Sequence, residues 1–217
     1  MCFSVPASFT AGAALAVVGA ATVIKARKND KKHHTAFAAI PLLFAIQQFV
    51  EGFVWLSFTY QWPLVENIAT HIFAFFAYVW WPVFIPLAVG FLEIIVWRKR
   101  TINVLWFIGL ATGGYLLYYI AAYPIFAHVV NGCIAYRIES PLDLRPWSVA
   151  LYIIAVLGPM FISSRKIINV FGVVTGVALV ATYFFFRIVF VSVWCFFAAI
   201  LSAIIYFYFF KKPAAVH

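Results

Sequence analysis

The chain has 217 residues, 66% of them hydrophobic and 10% charged, and a formal net charge of +9. Soluble domains carry about 45–50% apolar and about 25% charged residues, so a mean hydropathy of +1.04 excludes one and implies a single polytopic membrane domain over 1–217, with the lipid bilayer as its first partner. The positive charge does not mark a nucleic-acid binder, because Lys and Arg stand in short clusters at the ends of apolar runs.

The first apolar run, 6–24, has no basic residue before it, and its charges follow at Lys25, Arg27, Lys28, Lys31 and Lys32. That order differs from an ordinary cleaved signal peptide and predicts a retained span with its leading residues outside. Cys2 has no apolar signal before it, so a lipoprotein anchor is not expected. Ser8, Gly12, Gly19 and Thr22 share one broad face, a pattern that permits close helix–helix approach.

The second run, 36–60, holds the most informative stretch, Gln47-Gln48-Phe49-Val50-Glu51-Gly52-Phe53-Val54-Trp55. A carboxylate near the bilayer centre costs about 2.5–3.5 kcal/mol on insertion scales, so it normally faces a protein interior or a cavity. At helical spacing Phe44, Gln48, Glu51 and Trp55 lie on one face, with Gln47 one turn before Glu51. That face is expected to look inward. Glu51 should then meet span three or span seven, with Gln47, Tyr78, His71 or Cys195 among its partners.

The third run, 68–97, is too long for an upright helix, about 45 Å for 30 residues. Pro82 and Pro86 predict a kink. His71, Phe75, Tyr78, Pro82, Val89 and Glu93 read as one side, with Glu93 at the inner end either snorkelling or meeting the Arg98 cluster. A fourth run covers 102–122.

The connection 123–145 is the one sizeable extramembrane element. Asn131-Gly132, the preferred pair for a type I′ turn, separates the strand-like runs 127–130 and 133–138, predicting an external β-hairpin that serves as a cap or a lid. His128, Val130, Cys133, Ala135 and Arg137 share one face of it, and Val129, Ile134, Tyr136 and Ile138 the other. The apolar face should rest on the bundle mouth or the lipid interface.

Three further runs cover 146–162, 167–185 and 188–210. Gly172-x-x-x-Gly176 offers another close helix contact. Ser192, Cys195, Ala199, Ser202 and Tyr206 form a small, weakly polar stripe with Trp194 beside it. The last run holds no lysine, which sets aside a retinal Schiff base there. Of the 15 Lys and Arg, all but Arg137, Arg145 and Arg187 fall on one side if the N-terminus is outside. The positive-inside rule therefore predicts an all-α bundle of seven transmembrane helices, N-terminus out and C-terminus in.

Met1-Cys2-Phe3-Ser4, Ile46-Gln47-Gln48-x-x-Glu51-Gly52-x-x-Trp55 and Ser192-x-Trp194-Cys195-Phe196-Phe197-Ala198-Ala199 together resemble an uncharacterised family of bacterial integral membrane proteins whose chains begin Met-Cys-Phe-Ser. The resemblance covers nearly the whole chain and implies residence in the bacterial inner membrane. It also implies that Cys2, Glu51, Trp55 and Cys195 belong to one unit. It carries no known activity.

Spacing places Glu51 roughly 13 Å below Tyr60 and Cys195 about 10 Å below Ile188, with His71 near the same surface and Cys2 on a short outer tail. Gln47, Gln48, Glu51, Trp55, His71, Tyr78, Trp194 and Cys195 are the candidate ligand-binding residues. The first functional reading is a receptor, carrier or accessory subunit that binds a small molecule or ion in this outer half. Cys2, Glu51, His71 and Cys195 are candidates for a metal or haem site of redox character, since thiolate and imidazole suit copper(I), zinc or haem iron. If Met1 is removed, the freed amine and thiol of Cys2 add a chelating pair. Against this stand a Cys2–Cys133 disulfide on the oxidising side and a Gln–Glu–Trp cluster that merely braces the fold. A third reading is a metal-dependent membrane hydrolase resembling the seven-span ceramidase and progestin-receptor-like group, which holds zinc with three histidines. No HxxxH occurs here, and no internal repeat of the kind transporters carry is found.

Overall fold

The computed structural model describes residues 4–28, 32–140 and 146–210. It is mostly helical, with six helices long and apolar enough to cross a membrane: α1 Val5–Lys28, α2 Thr35–Tyr60, α3 Pro63–Leu92, α4 Val96–Ala122, α6 Lys166–Phe185 and α7 Arg187–Phe210. A shorter apolar helix, α5 Pro146–Ile162, precedes α6. Strands β1 Ile125–Val130 and β2 Cys133–Ile138 form an antiparallel hairpin between α4 and α5.

The third and fourth helices meet elsewhere than hydropathy implies. The apolar residues Ile94, Ile95, Val96 and Trp97 carry the signal across a sharp turn, so α3 ends at Leu92 and α4 begins at Val96. Glu93 makes the turn in extended conformation and is only 2% exposed. Its Oε1 accepts from the N–H of Ile94 and Ile95 and from Ser164 Oγ, and its Oε2 from the Ser164 N–H at 2.7 Å. The carboxylate thus holds the turn just before α4 and ties it to the α5–α6 turn, in place of the expected snorkelling or contact with the Arg98 cluster. Arg98 itself donates to the Ile162 carbonyl.

Between α2 and α3, Gln61 takes a left-handed conformation (φ 54°) and closes α2 through its N–H on the Ser57 carbonyl. Pro63 then opens α3 at a position where no N–H is needed.

Helix α1 packs along α2 on the small-residue face, burying Ser8, Gly12, Gly19 and Thr22. A Cβ on Gly19 would stand 2.5 Å from the Leu42 nitrogen, so the two backbones are in contact there. Gly172 likewise lies against Met160 of α5. The main core lies between the helices and includes Phe44, Trp81, Ile85, Met160, Phe171 and Trp194. The outer surface is strongly apolar, with Val17, Leu64, Ile94, Phe184, Phe185 and Ile188 all more than 70% exposed. Soluble monomers do not present such a surface, and lipid tails are its natural solvent.

Helix α3 contains a π-helical segment, Phe75–Trp80, just before Pro82. A π turn pairs each carbonyl with the N–H five residues on, and for Ala77 that residue is Pro82, which has none. The hydroxyl of Tyr152 on α5 donates to the Ala77 carbonyl at 2.6 Å instead. The wider turn also rotates the upper part of α3. Phe73 and Ala77 are buried there, whereas His71, Phe75 and Tyr78 are only half-buried. The regular 3.6-residue face expected from His71 to Glu93 is therefore not kept.

The hairpin has the expected register, Val130 opposite Cys133 and Val129 opposite Ile134, with positive φ at both Asn131 and Gly132. Ala127 and Ile134 pack with Val54 of α2 and Ala69 of α3. Cys133 and Ala135, on the other face, pack on Val189 and Val193 of α7.

Candidate functional site

Gln47, Gln48 and Glu51 are all fully buried, as the periodicity of α2 requires. Glu51 Oε1 accepts from Ser192 Oγ on α7 at 2.5 Å, and its Oε2 accepts from Gln48 Nε2 at 3.4 Å. Gln47 Oε1 accepts from Trp81 Nε1 of α3 at 2.8 Å, and the Trp81 indole stacks on Phe44, ring centroids 3.9 Å apart. Glu51 thus meets span seven as expected, but it hydrogen-bonds Ser192 and Gln48 in place of the expected Gln47, Tyr78, His71 or Cys195. Two polar atoms in the network, Gln47 Nε2 and Gln48 Oε1, are buried with no partner at hydrogen-bond distance among the described residues. Such groups are costly, and the Gln47 amide faces the Cys195 thiol.

Cys195 follows Ser192 by one turn on α7. It is a free, buried thiol packed against Phe73 and Ala77. Tyr136 of β2 closes this region from above, its ring stacked on Phe73 at 4.2 Å with an interplanar angle of 10°. Its hydroxyl is buried without a partner among the described residues. Burial holds the Tyr136 hydroxyl well above its ordinary pKa, and the neighbouring Glu51, Cys195 and Tyr78 push the same way. It therefore stands as a protonated donor.

Beside this cluster lies a partly open cleft of about 410 Å³, within the range of small-molecule sites. Ser148 and Tyr152 of α5, Leu179 and Tyr183 of α6, Trp194 and Cys195 of α7, Tyr78 and Tyr136 line it, and the wall is mostly apolar. Arg187, at the start of α7, is also on its lining, exposed, with its guanidinium over the Tyr183 ring at 5.6 Å.

The other expected residues divide. Tyr78 and Trp194 border the cleft, and Trp194 donates to the Thr175 carbonyl at 3.4 Å. Trp55 packs in the cluster beneath the hairpin, its indole nitrogen buried and without a partner among the described residues. His71 turns to its own helix, with Nδ1 2.8 Å from the Asn67 carbonyl. Among the described residues no three His, Cys, Asp or Glu side chains gather as a metal-holding group. Cys2 lies outside the described residues. Cys133 is disulfide-bonded.

Ser192, Trp81, Tyr152 and Arg187 are the additions to the site. Ser192 was visible on the stripe with Cys195. Trp81, an indole in an apolar run, needs an acceptor, and that was the signal for its partner. Tyr152 answers a π turn that sequence does not display.

No curated protein and no solved structure matches the chain. A family profile matches residues 1–217 in full, and the chain with its Glu51 network belongs to that family of unknown function, DUF6629.

Proposed function

We propose that the chain is a seven-span membrane protein of a bacterial cytoplasmic membrane, N-terminus outside and C-terminus inside. It binds a small, mostly apolar molecule in its outer half and serves as a receptor, carrier or accessory subunit. The observation that carries this reading is the cleft of about 410 Å³, whose wall at Cys195 and Tyr136 adjoins the buried Gln47–Gln48–Glu51 cluster. Apolar walls with few convergent polar groups are the usual build of a ligand site. Among the described residues the Tyr136 hydroxyl is the buried lining group with hydrogen-bonding capacity to spare.

Two substitutions test it together. Tyr152→Trp adds bulk to the cleft, and Glu51→Gln removes the carboxylate while keeping most of its hydrogen bonding. Small molecules that co-purify with the wild-type protein are extracted and identified by mass spectrometry, and compared with those from each variant. The expected result is a compound retained by wild type and depleted in both variants, with the Glu51→Gln melting temperature close to wild type. A Glu51→Gln protein that melts normally and keeps every compound assigns Glu51 to bracing alone. Unchanged compounds in both variants overturn the cleft as a binding site.

A further inference from the structure

We infer that the cleft takes a single-chain anionic amphiphile drawn from the membrane, its carboxylate held by Arg187 and its chain lying along Trp194. The inference rests on the cleft being a ligand site, and it names the ligand's chemical class. Most of the cleft wall is apolar, and among the described residues Arg187 is the one cation on its lining. Arg187 lies at the end of α7 that contacts the hairpin, in the short helical turn Arg187–Val189 against β2. Its guanidinium covers the Tyr183 ring, an arrangement that orients the planar fork and leaves its edge N–H groups for an acceptor. A carboxylate is the acceptor whose geometry fits that fork.

Position gives the rest. Trp194 lies two helical turns further into the bundle on the same helix, and Phe190 stacks on it at 5.8 Å. With Leu179 and Ile153 they make an apolar track leading away from Arg187. A neutral alkane would leave Arg187 unused, and an amine would face it with like charge. A two-chain lipid is too large for about 410 Å³.

The test uses the full chain in nanodiscs of zwitterionic lipid, at mildly alkaline pH where a carboxylic acid is ionised. The probes are undecanoic acid brominated at its far end, the methyl ester of that acid, and the matching bromoalkylamine. Bromine quenches nearby tryptophan. The acid is expected to quench saturably, with the quenched component absent in Trp194→Phe, and the ester to bind about tenfold more weakly. Arg187→Gln should weaken the acid by the same factor and leave the ester unchanged, while Arg187→Lys restores part of the difference. Equal binding of acid and ester, with Arg187→Gln neutral, overturns the anionic class but leaves the cleft as a binding site. So does preference for the amine. If no probe quenches saturably and Trp194→Phe changes nothing, the cleft itself fails as a site and the inference falls with it.

Discussion

Two buried carboxylates on this chain have opposite surroundings. Glu51 has two side-chain donors deep in the bundle, whereas Glu93 gathers four hydrogen bonds, three of them from backbone N–H groups. At Glu93 burial pushes the pKa up, but the bonds from Ser164, Ile95 and Ile94 outweigh it and hold the carboxyl below the ordinary range. A folded-state pKa that is depressed adds stability above the unfolded value of about 4.3, and that stability disappears as pH falls through the lower folded value. Glu93→Ala should therefore cost roughly 2–3 kcal/mol at neutral pH, and the gap to wild type should close in acid. Thermal melts of both proteins in detergent across acid to neutral pH check this. A gap that widens on acidification would contradict the assignment. The sequence showed Glu93 as an inner-end charge, but its acceptors lie on a turn that continuous apolar residues concealed.

At the scale of elements, α3 carries two prolines, and its neighbours answer the consequences. Pro86 leaves the Pro82 carbonyl without its usual partner four residues on. Gly109 of α4 stands directly against that carbonyl, where an added Cβ would lie 1.9 Å from the oxygen. Both sides of the contact are backbone, so neither can yield by changing rotamer. Gly109→Ala is expected to cost roughly 3 kcal/mol or more, or to block folding, by forcing α3 and α4 apart. Gly114→Ala on the same helix meets nothing within 4 Å and should be neutral or gain up to about 1 kcal/mol from helix propensity. Comparing the two melting temperatures separates contact from propensity. Pro82 and Pro86 marked α3 as the helix whose backbone pairing would be disturbed. The π turn was not legible, because it depends on Tyr152, 75 residues away from Ala77 in the chain.

At the scale of the molecule, the hydropathy runs, the inward face of α2 and the hairpin turn could all be read from sequence. Each depends on neighbours within one or two turns: an amide and a carboxylate among apolar residues, or Asn131 before Gly132. The cleft could not be read, because α5, α6 and α7 must first be placed against one another. The proposed orientation predicts that a reporter fused after His217 is active on the cytoplasmic side, and a tag at Asn131-Gly132 is reached from outside. A C-terminal reporter active outside would refute it. The disulfide state of Cys133 accords with an oxidising face for the hairpin. Tyr152 then sets how the cleft can work. Its ring forms one wall, and its hydroxyl is committed to the Ala77 carbonyl, so moving that wall outward would strand a main-chain acceptor in the bundle. The cleft thus has one fixed jaw, α3 with α5, and any room for a larger guest must come from α6 and the start of α7.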